Sequence, residues 1–161
     1  MNLFAEMRVL VTVALDKMIT EGQLPQGLSF ENVAVEPPRD ALHGDMATNA
    51  AMVLAKPSRQ KPRDIADKLA AHLMQDPRIT TADVAGPGFL NLRLAPTVWQ
   101  GLVKNILEQG TAFGRSSIGA GKRVNVEYVS ANPTGPLHVG HTRGAVFGDA
   151  LAGLLDYAGY E

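Results

Sequence analysis

The sequence predicts an α+β domain over residues 1–113, a linker over 114–121 and, over 122–161, the first strand–helix unit of an α/β layer. Three observations carry this. Apolar residues recur at helical spacing in several stretches before residue 108, interrupted by short alternating runs. The segment Phe113–Gly121 is rich in Gly and Ser and has no period. Beyond it, an alternating run from Arg123 to Val129 leads through a small-residue stretch into a helical pattern from Thr142 to Ala158.

The chain has 161 residues, room for one ordinary domain or one small domain plus part of another. Its 45% hydrophobic and 19% charged content reads as globular and soluble. A net charge of −1 gives no global basic field, so any RNA site must be local. There is no cysteine, which excludes disulfides and cysteine zinc sites and suits a reducing cytosol. No apolar run spans a bilayer, and Glu6 and Asp16 replace a signal-peptide pattern.

Leu3, Met7, Leu10, Val11, Ala14, Leu15 and Met18 mark the first helix, which Gly22 and Pro25 end. Val33 and Val35 alternate in a short strand that stops at Pro37-Pro38. Asp45 is then expected to cap a small-residue helix that runs to about Ala55, before Pro57. His43 reads as a satisfied turn histidine. Pro62 opens the next helix, Asp64 suits its first turn, and Ile65, Leu69 and Leu73 form its buried stripe. His72 reads as a residue at the edge of that stripe, and Asp76-Pro77 ends the helix.

Gly86-Pro87-Gly88 is turn chemistry. After it, Leu90, Leu92 and Leu94 point one way and Phe89, Asn91 and Arg93 the other. Two readings of that second face stay open. Phe89 covers a small apolar cluster while the polar pair is solvated, which the residues alone favour. Or the face takes an unpaired base, with stacking from Phe89, hydrogen bonds from Asn91 and phosphate attraction from Arg93. A last helix carries Val98, Leu102, Val103, Ile106 and Leu107, with Trp99 beside the stripe, and ends at Gly110.

The run Ala131-Asn132-Pro133-Thr134-Gly135-Pro136-Leu137-His138-Val139-Gly140-His141 sits where strand hands over to helix. Unpaired N–H groups at a helix start favour a phosphate. His138 and His141, three apart, share one side of the first turn. Their N–H groups suit a transition state that spreads negative charge over phosphate oxygens. Gly140 lets a base or phosphate approach the backbone. Zinc fits poorly: it takes three or four protein ligands, and His43 and His72 lack ligand spacing. No metal site is expected. Glu127 is anomalous in a strand expected to be apolar on both faces. It either pairs with Arg123 or Arg143, or waits for a cationic substrate such as a guanidinium.

His138-Val139-Gly140-His141 resembles the HIGH signature of class I aminoacyl-tRNA synthetases. The sixteen residues from Val126 to His141 are similar to the bacterial arginyl-tRNA synthetase version. The resemblance implies an N-terminal tRNA-binding domain that contacts the D-loop, followed by the start of a truncated Rossmann-type catalytic domain. Gly88-Phe89-Leu90-Asn91 looks like its base-contacting strand, and His43-Gly44-Asp45 with Thr48-Asn49-Ala50 resembles the same domain. It implies tRNA contacts at Phe89, Asn91 and Arg93, arginine contacts at Glu127, Ser130 and Asn132, and ATP contacts at His138, Gly140 and His141.

The implied activity of the parent is cytoplasmic arginine–tRNA ligation by a monomer. ATP with Mg2+ activates L-arginine, which passes to the 3′ end of tRNA(Arg). Many family members carry lysine where this chain has Gly135; those without it generally keep a lysine in a downstream KMSK loop, which is absent here. One strand and one helix do not make a nucleotide pocket. The chain is therefore expected to be an inactive N-terminal piece, a third or less of a family member. The alternative is a free-standing RNA-binding module with a vestigial signature.

Overall fold

A computed structural model describes residues 2–38 and 40–161. The chain divides into two compact units, residues 1–108 and residues 109–161.

The first unit is a four-stranded antiparallel sheet with helices on one face. Helix α1 (Leu3–Thr20) buries Leu3, Met7, Val11, Ala14, Leu15 and Met18, the expected stripe apart from half-buried Leu10. Asn2 caps it, its side chain accepting from the N–H groups of Phe4 and Ala5. Strands β1 (Val35–Glu36) and β2 (Met46–Thr48) flank a 3₁₀ turn at Ala41–His43. Helices α2 (Ala50–Ser58) and α3 (Pro62–Leu73) follow, then the hairpin of β3 (Ile79–Ala85) and β4 (Phe89–Leu94) and helix α4 (Pro96–Gln109).

The strand order is β1-β2-β4-β3. Register pairs Met46 with Leu92 and Thr48 with Leu90. These four face the helices and are at most 1% exposed. With Ile65, Leu69 and Leu73 from α3 and Leu54 from α2 they form one continuous core. The same alternation sends Glu36, Ala47, Asn91 and Asp83 to the opposite face, in one row across all four strands.

Two expectations are corrected here. Asp45 caps no helix. Its backbone N–H donates to Leu92 O at 2.8 Å, and its carboxylate accepts from Leu94 N at 2.7 Å, so it leads β2 into the sheet beside β4. The helix begins at Ala50, and Pro57 lies inside its last turn. Pro57 forgoes only the one N–H bond to Val53 O, near the helix end; Ser58 Oγ donates to Leu54 O at 2.6 Å, and Arg59 ends the helix at φ 55°. Asn49 ties the helix start to the preceding loop, accepting from Ala34 N at 2.8 Å and donating to Asn32 O at 3.2 Å.

Asp76 closes the α3–β3 connection. Arg78 grips its carboxylate through Nε (2.9 Å) and a terminal nitrogen (2.8 Å), and the Arg78 N–H adds a third bond at 2.9 Å. The guanidinium holds the Asp76 carboxyl below its ordinary 3.8. A depressed carboxylate stabilises the fold above its unfolded pKa and ceases to as pH falls through its folded value. Asp76→Asn is therefore expected to be less stable than wild type at pH 7, and the gap to close below pH 3.8. Urea midpoints of both chains across the acid range check this.

In the second unit, helix α5 (Val139–Tyr157) forms where the helical period predicts it. The strand expected at Arg123–Val129 does not. A strand is defined by its ladder, and the described residues offer no partner strand. Val124 N instead donates to Glu161 O at 2.7 Å, and Glu161 N to Lys122 O at 3.0 Å. Residues 114–121, expected as a linker, bind the chain's end: Ser116 N donates to Tyr157 O (3.0 Å), Gly119 N to Ala158 O (2.8 Å) and Gly121 N to Gly159 O (3.0 Å). Tyr128 lies against Gly148, where a Cβ would overlap the tyrosine side chain, so α5 needs glycine there.

Candidate functional site

Each unit carries one constellation. On the first, the row of residues facing away from the core opens a cleft of about 540 Å3. That falls in the range of small-ligand sites, about 300–1,000 Å3. Ala47 supplies the hollow, because a methyl group stands between Glu36 and Asn91 in the row. Phe89 walls it from one residue-pair further along β4, and His43 from the 3₁₀ turn. Pro37, Pro38, Ala85 and Gly86 complete the rim.

The three residues predicted on this face differ in setting. Phe89 is 45% exposed, so the ring is open to stacking. Asn91 is 8% exposed, with its amide atoms open to the cleft rather than sealed inside it. Arg93 is exposed, and one guanidinium nitrogen donates to Leu42 O at 2.8 Å. Sequence reasoning passes over His43 and Glu36 as cleft residues. The signal for His43 is its place before Gly44. At φ +126°, a Cβ on Gly44 would stand 2.7 Å from Leu92 O, so the turn presses directly on β4.

On the second unit, His138 is the N-cap of α5 and His141 its third residue. His138 Nδ1 accepts from Gly140 N at 3.1 Å, and His141 Nδ1 accepts from His138 N at 3.3 Å. This is a capping box built from imidazoles. The rings stack, with centroids 3.7 Å apart and planes 23° from parallel. Since both Nδ1 atoms accept, the neutral rings carry their protons on Nε2. Two Nε2–H donors then stand side by side at the positive end of a helix.

Glu127 lies upstream, exposed, and accepts a hydrogen bond from the Ser130 hydroxyl. Val129, at φ 57°, turns the chain between them. Among the described residues no Lys or Arg lies in ion-pair range of Glu127, so the pairs with Arg123 and Arg143 do not form. The Asn132 carbonyl takes Thr134 N at 2.8 Å, tightening the loop that runs through Pro133, Gly135, Pro136 and Leu137. No group of three or more His, Asp or Glu suited to a metal ion occurs among the described residues. No described helix is long and apolar enough to cross a membrane.

Residues 5–94, more than half the chain, match the family model for the arginyl tRNA synthetase N terminal domain. The chain belongs to the arginyl-tRNA synthetase family. Residues 102–161 match a second model, the catalytic domain of class I (R) tRNA synthetases. All of the chain aligns with the arginine–tRNA ligase of Ruegeria pomeroyi at 74% identity, and with that of Paracoccus denitrificans at 66%. It spans 28% of the length of each of these relatives. The arginyl-tRNA synthetase of Thermus thermophilus matches 99% of the chain at 31% identity and TM-score 0.65, over 24% of its own chain. That of Plasmodium falciparum matches 96% at TM-score 0.71, over 28% of its own chain; at 15% identity this shows a shared fold alone. The arginyl-tRNA synthetase family thus accounts for both units, the sheet domain and the start of the class I catalytic domain.

Proposed function

We propose that this chain is the N-terminal part of an arginine–tRNA ligase and that its two constellations serve two different substrates. The paired imidazoles at the start of α5 carry the reading. In the complete enzyme the arginine carboxylate attacks the α-phosphate of ATP, pyrophosphate leaves, and arginyl-adenylate forms. The terminal ribose hydroxyl of tRNA(Arg) then attacks the acyl carbon and AMP leaves. In the first step charge grows on the non-bridging α-phosphate oxygens. His138 and His141 offer fixed N–H donors there, and Gly140 leaves the backbone open to the nucleotide. Mg2+ arrives with the ATP phosphates as part of the substrate. Glu127, oriented by Ser130, takes the arginine guanidinium, and Asn132 lies beside it in sequence to hold the amino-acid backbone.

The sheet cleft takes one unstacked base of the tRNA D-loop, with Phe89 as the stacking platform and Asn91 as the edge reader. On this reading residues 1–113 bind tRNA, 114–121 connect, and 122–161 begin the nucleotide fold. Among the described residues there are none of the several parallel strands that make a nucleotide pocket, so on this reading the 161-residue chain by itself is inactive.

The test separates the two substrates. In a full-length ligase carrying this sequence, Phe89→Ala is expected to raise the KM for tRNA by about 5- to 150-fold, since stacking on one aromatic ring is worth about 1–3 kcal/mol. Asn91→Ala is expected to act in the same direction. Arginine-dependent ATP–pyrophosphate exchange at saturating tRNA stays at the wild-type rate in both. An unchanged KM for tRNA would remove the cleft from the reading. Exchange by the isolated 161-residue chain would overturn the division of labour altogether.

A further inference from the structure

We infer that His43 is a base-contacting, specificity-determining residue of the sheet cleft, and that Arg93 acts as its positioning residue rather than as a phosphate contact. The inference rests on the reading of the cleft as a base site.

The polar residues around the cleft fall into two groups. Asn49 is engaged at both ends, by Ala34 N and Asn32 O, and the Thr48 hydroxyl accepts from Ala50 N at 3.2 Å. These hold the walls. Asn91 and His43 are different: among the described residues the side chain of neither makes a hydrogen bond or ion pair, although Asn91 is only 8% exposed. The Asn91 side chain is mostly covered, but its amide atoms are not sealed from solvent; they open on the cleft with donors and acceptor free for a ligand there. His43 opens onto the same cleft. An imidazole carries one donor and one acceptor, which suits the edge of a base and not a phosphate-only contact.

The turn that carries His43 is fixed far more firmly than a solvated loop requires. Asp40 caps it, its carboxylate accepting from Leu42 N at 2.9 Å, while His43 N donates to Asp40 O at 3.0 Å. Gly44 allows backbone contact with β4, and Asp45 clamps the next residues to Leu92 O and Leu94 N. Arg93 closes the set by donating to Leu42 O at 2.8 Å, one residue before the imidazole. The guanidinium thus fastens the turn to the strand that also carries Phe89 and Asn91. All three base-facing side chains are referred to β4, either on it or bolted to it.

The experiment uses the 161-residue chain and a fluorescein-labelled tRNA(Arg) transcript, followed by anisotropy at low salt. Single abasic substitutions are placed along the D-loop. In wild type, one abasic position is expected to weaken binding. His43→Ala is expected to weaken binding of intact tRNA about 5- to 10-fold, the scale of one hydrogen bond. It should cost nothing further against the tRNA abasic at that position. His43→Gln, which keeps a donor and an acceptor, recovers most of the loss. Arg93→Ala is expected to match His43→Ala in size and to leave the slope of log K against log salt unchanged. A phosphate contact would instead flatten that slope by about 0.7–0.9.

Losses from His43→Ala and the abasic site that simply add would remove His43 from the base. A flattened slope in Arg93→Ala would return that residue to the phosphates. Circular dichroism and melting confirm folding of each variant; if Arg93→Ala melts, the His43 arm decides alone. If no abasic position weakens the wild-type chain, the base-site reading itself fails, which is a different result from a base site that ignores His43.

Discussion

In a full-length ligase carrying this sequence, His141→Ala is expected to lower arginine-dependent ATP–pyrophosphate exchange by about 10²–10³-fold at saturating substrates and tRNA. This is the usual effect of removing one fixed donor from a transition-state oxyanion. His138 needs a more careful substitution, because its ring has a second task. Its Nδ1 caps α5 through Gly140 N, and loss of a cap destabilises a helix start by about 1 kcal/mol. His138→Ala removes the cap and the Nε2–H donor together. His138→Asn restores a capping acceptor and supplies no donor at the Nε2 position. The expected pattern is that both variants lose exchange about equally, while only His138→Ala loses helix stability, measured by thermal melting of the 161-residue chain. If His138→Asn keeps wild-type exchange, the ring is a cap and nothing more. The stack between the rings makes the two substitutions non-additive, since each holds the other's orientation at 3.7 Å.

The parts legible in the sequence are those fixed by near-neighbour physics. The apolar period of α1 and α3 and the alternation of β4 identify their buried faces correctly, because one stripe and one face suffice to seat them on a single core. Asp45 misleads because an aspartate before a run of alanines satisfies the local rule for a cap; its actual partner, Leu94 N, lies 49 residues away. Asn91 is legible only in part. Alternation assigns it to the face away from the core, but only the register of β2 and the turn that carries His43 make that face a cleft. The segment Arg123–Val129 alternates as a strand should, yet a ladder needs a partner that the described residues do not supply. The imidazole pair is visible as spacing, whereas its reciprocal cap and shared tautomer depend on hydrogen bonds that no spacing specifies.

Glu127→Gln is expected to raise the KM for arginine by roughly 30-fold or more in the full-length ligase, the lower end of the loss expected when one partner of a desolvated charge pair is removed. The carboxylate is well placed for this role on two grounds. It has no internal cation among the described residues, and Ser130 donates to one of its oxygens, which fixes the carboxylate plane. A planar guanidinium presents parallel N–H groups to such a plane. The size of the effect also reports on the surroundings. In the 161-residue chain Glu127 is exposed, where an ion pair is worth about 0–1 kcal/mol, so arginine binding by the chain alone is expected to be negligible with either residue. A large effect in the ligase requires the remaining catalytic layers to exclude water. Citrulline separates charge from shape, since its ureido group has nearly the outline of a guanidinium and no charge. Wild type is expected to prefer arginine over citrulline strongly, and Glu127→Gln to lose most of that preference through weaker arginine binding. Ser130→Ala is expected to fall between the two, because it frees the carboxylate to rotate without discharging it. A Glu127→Gln enzyme with wild-type KM for arginine and undiminished discrimination would show that the guanidinium is held elsewhere, and that Glu127 serves the loop between strand and helix instead.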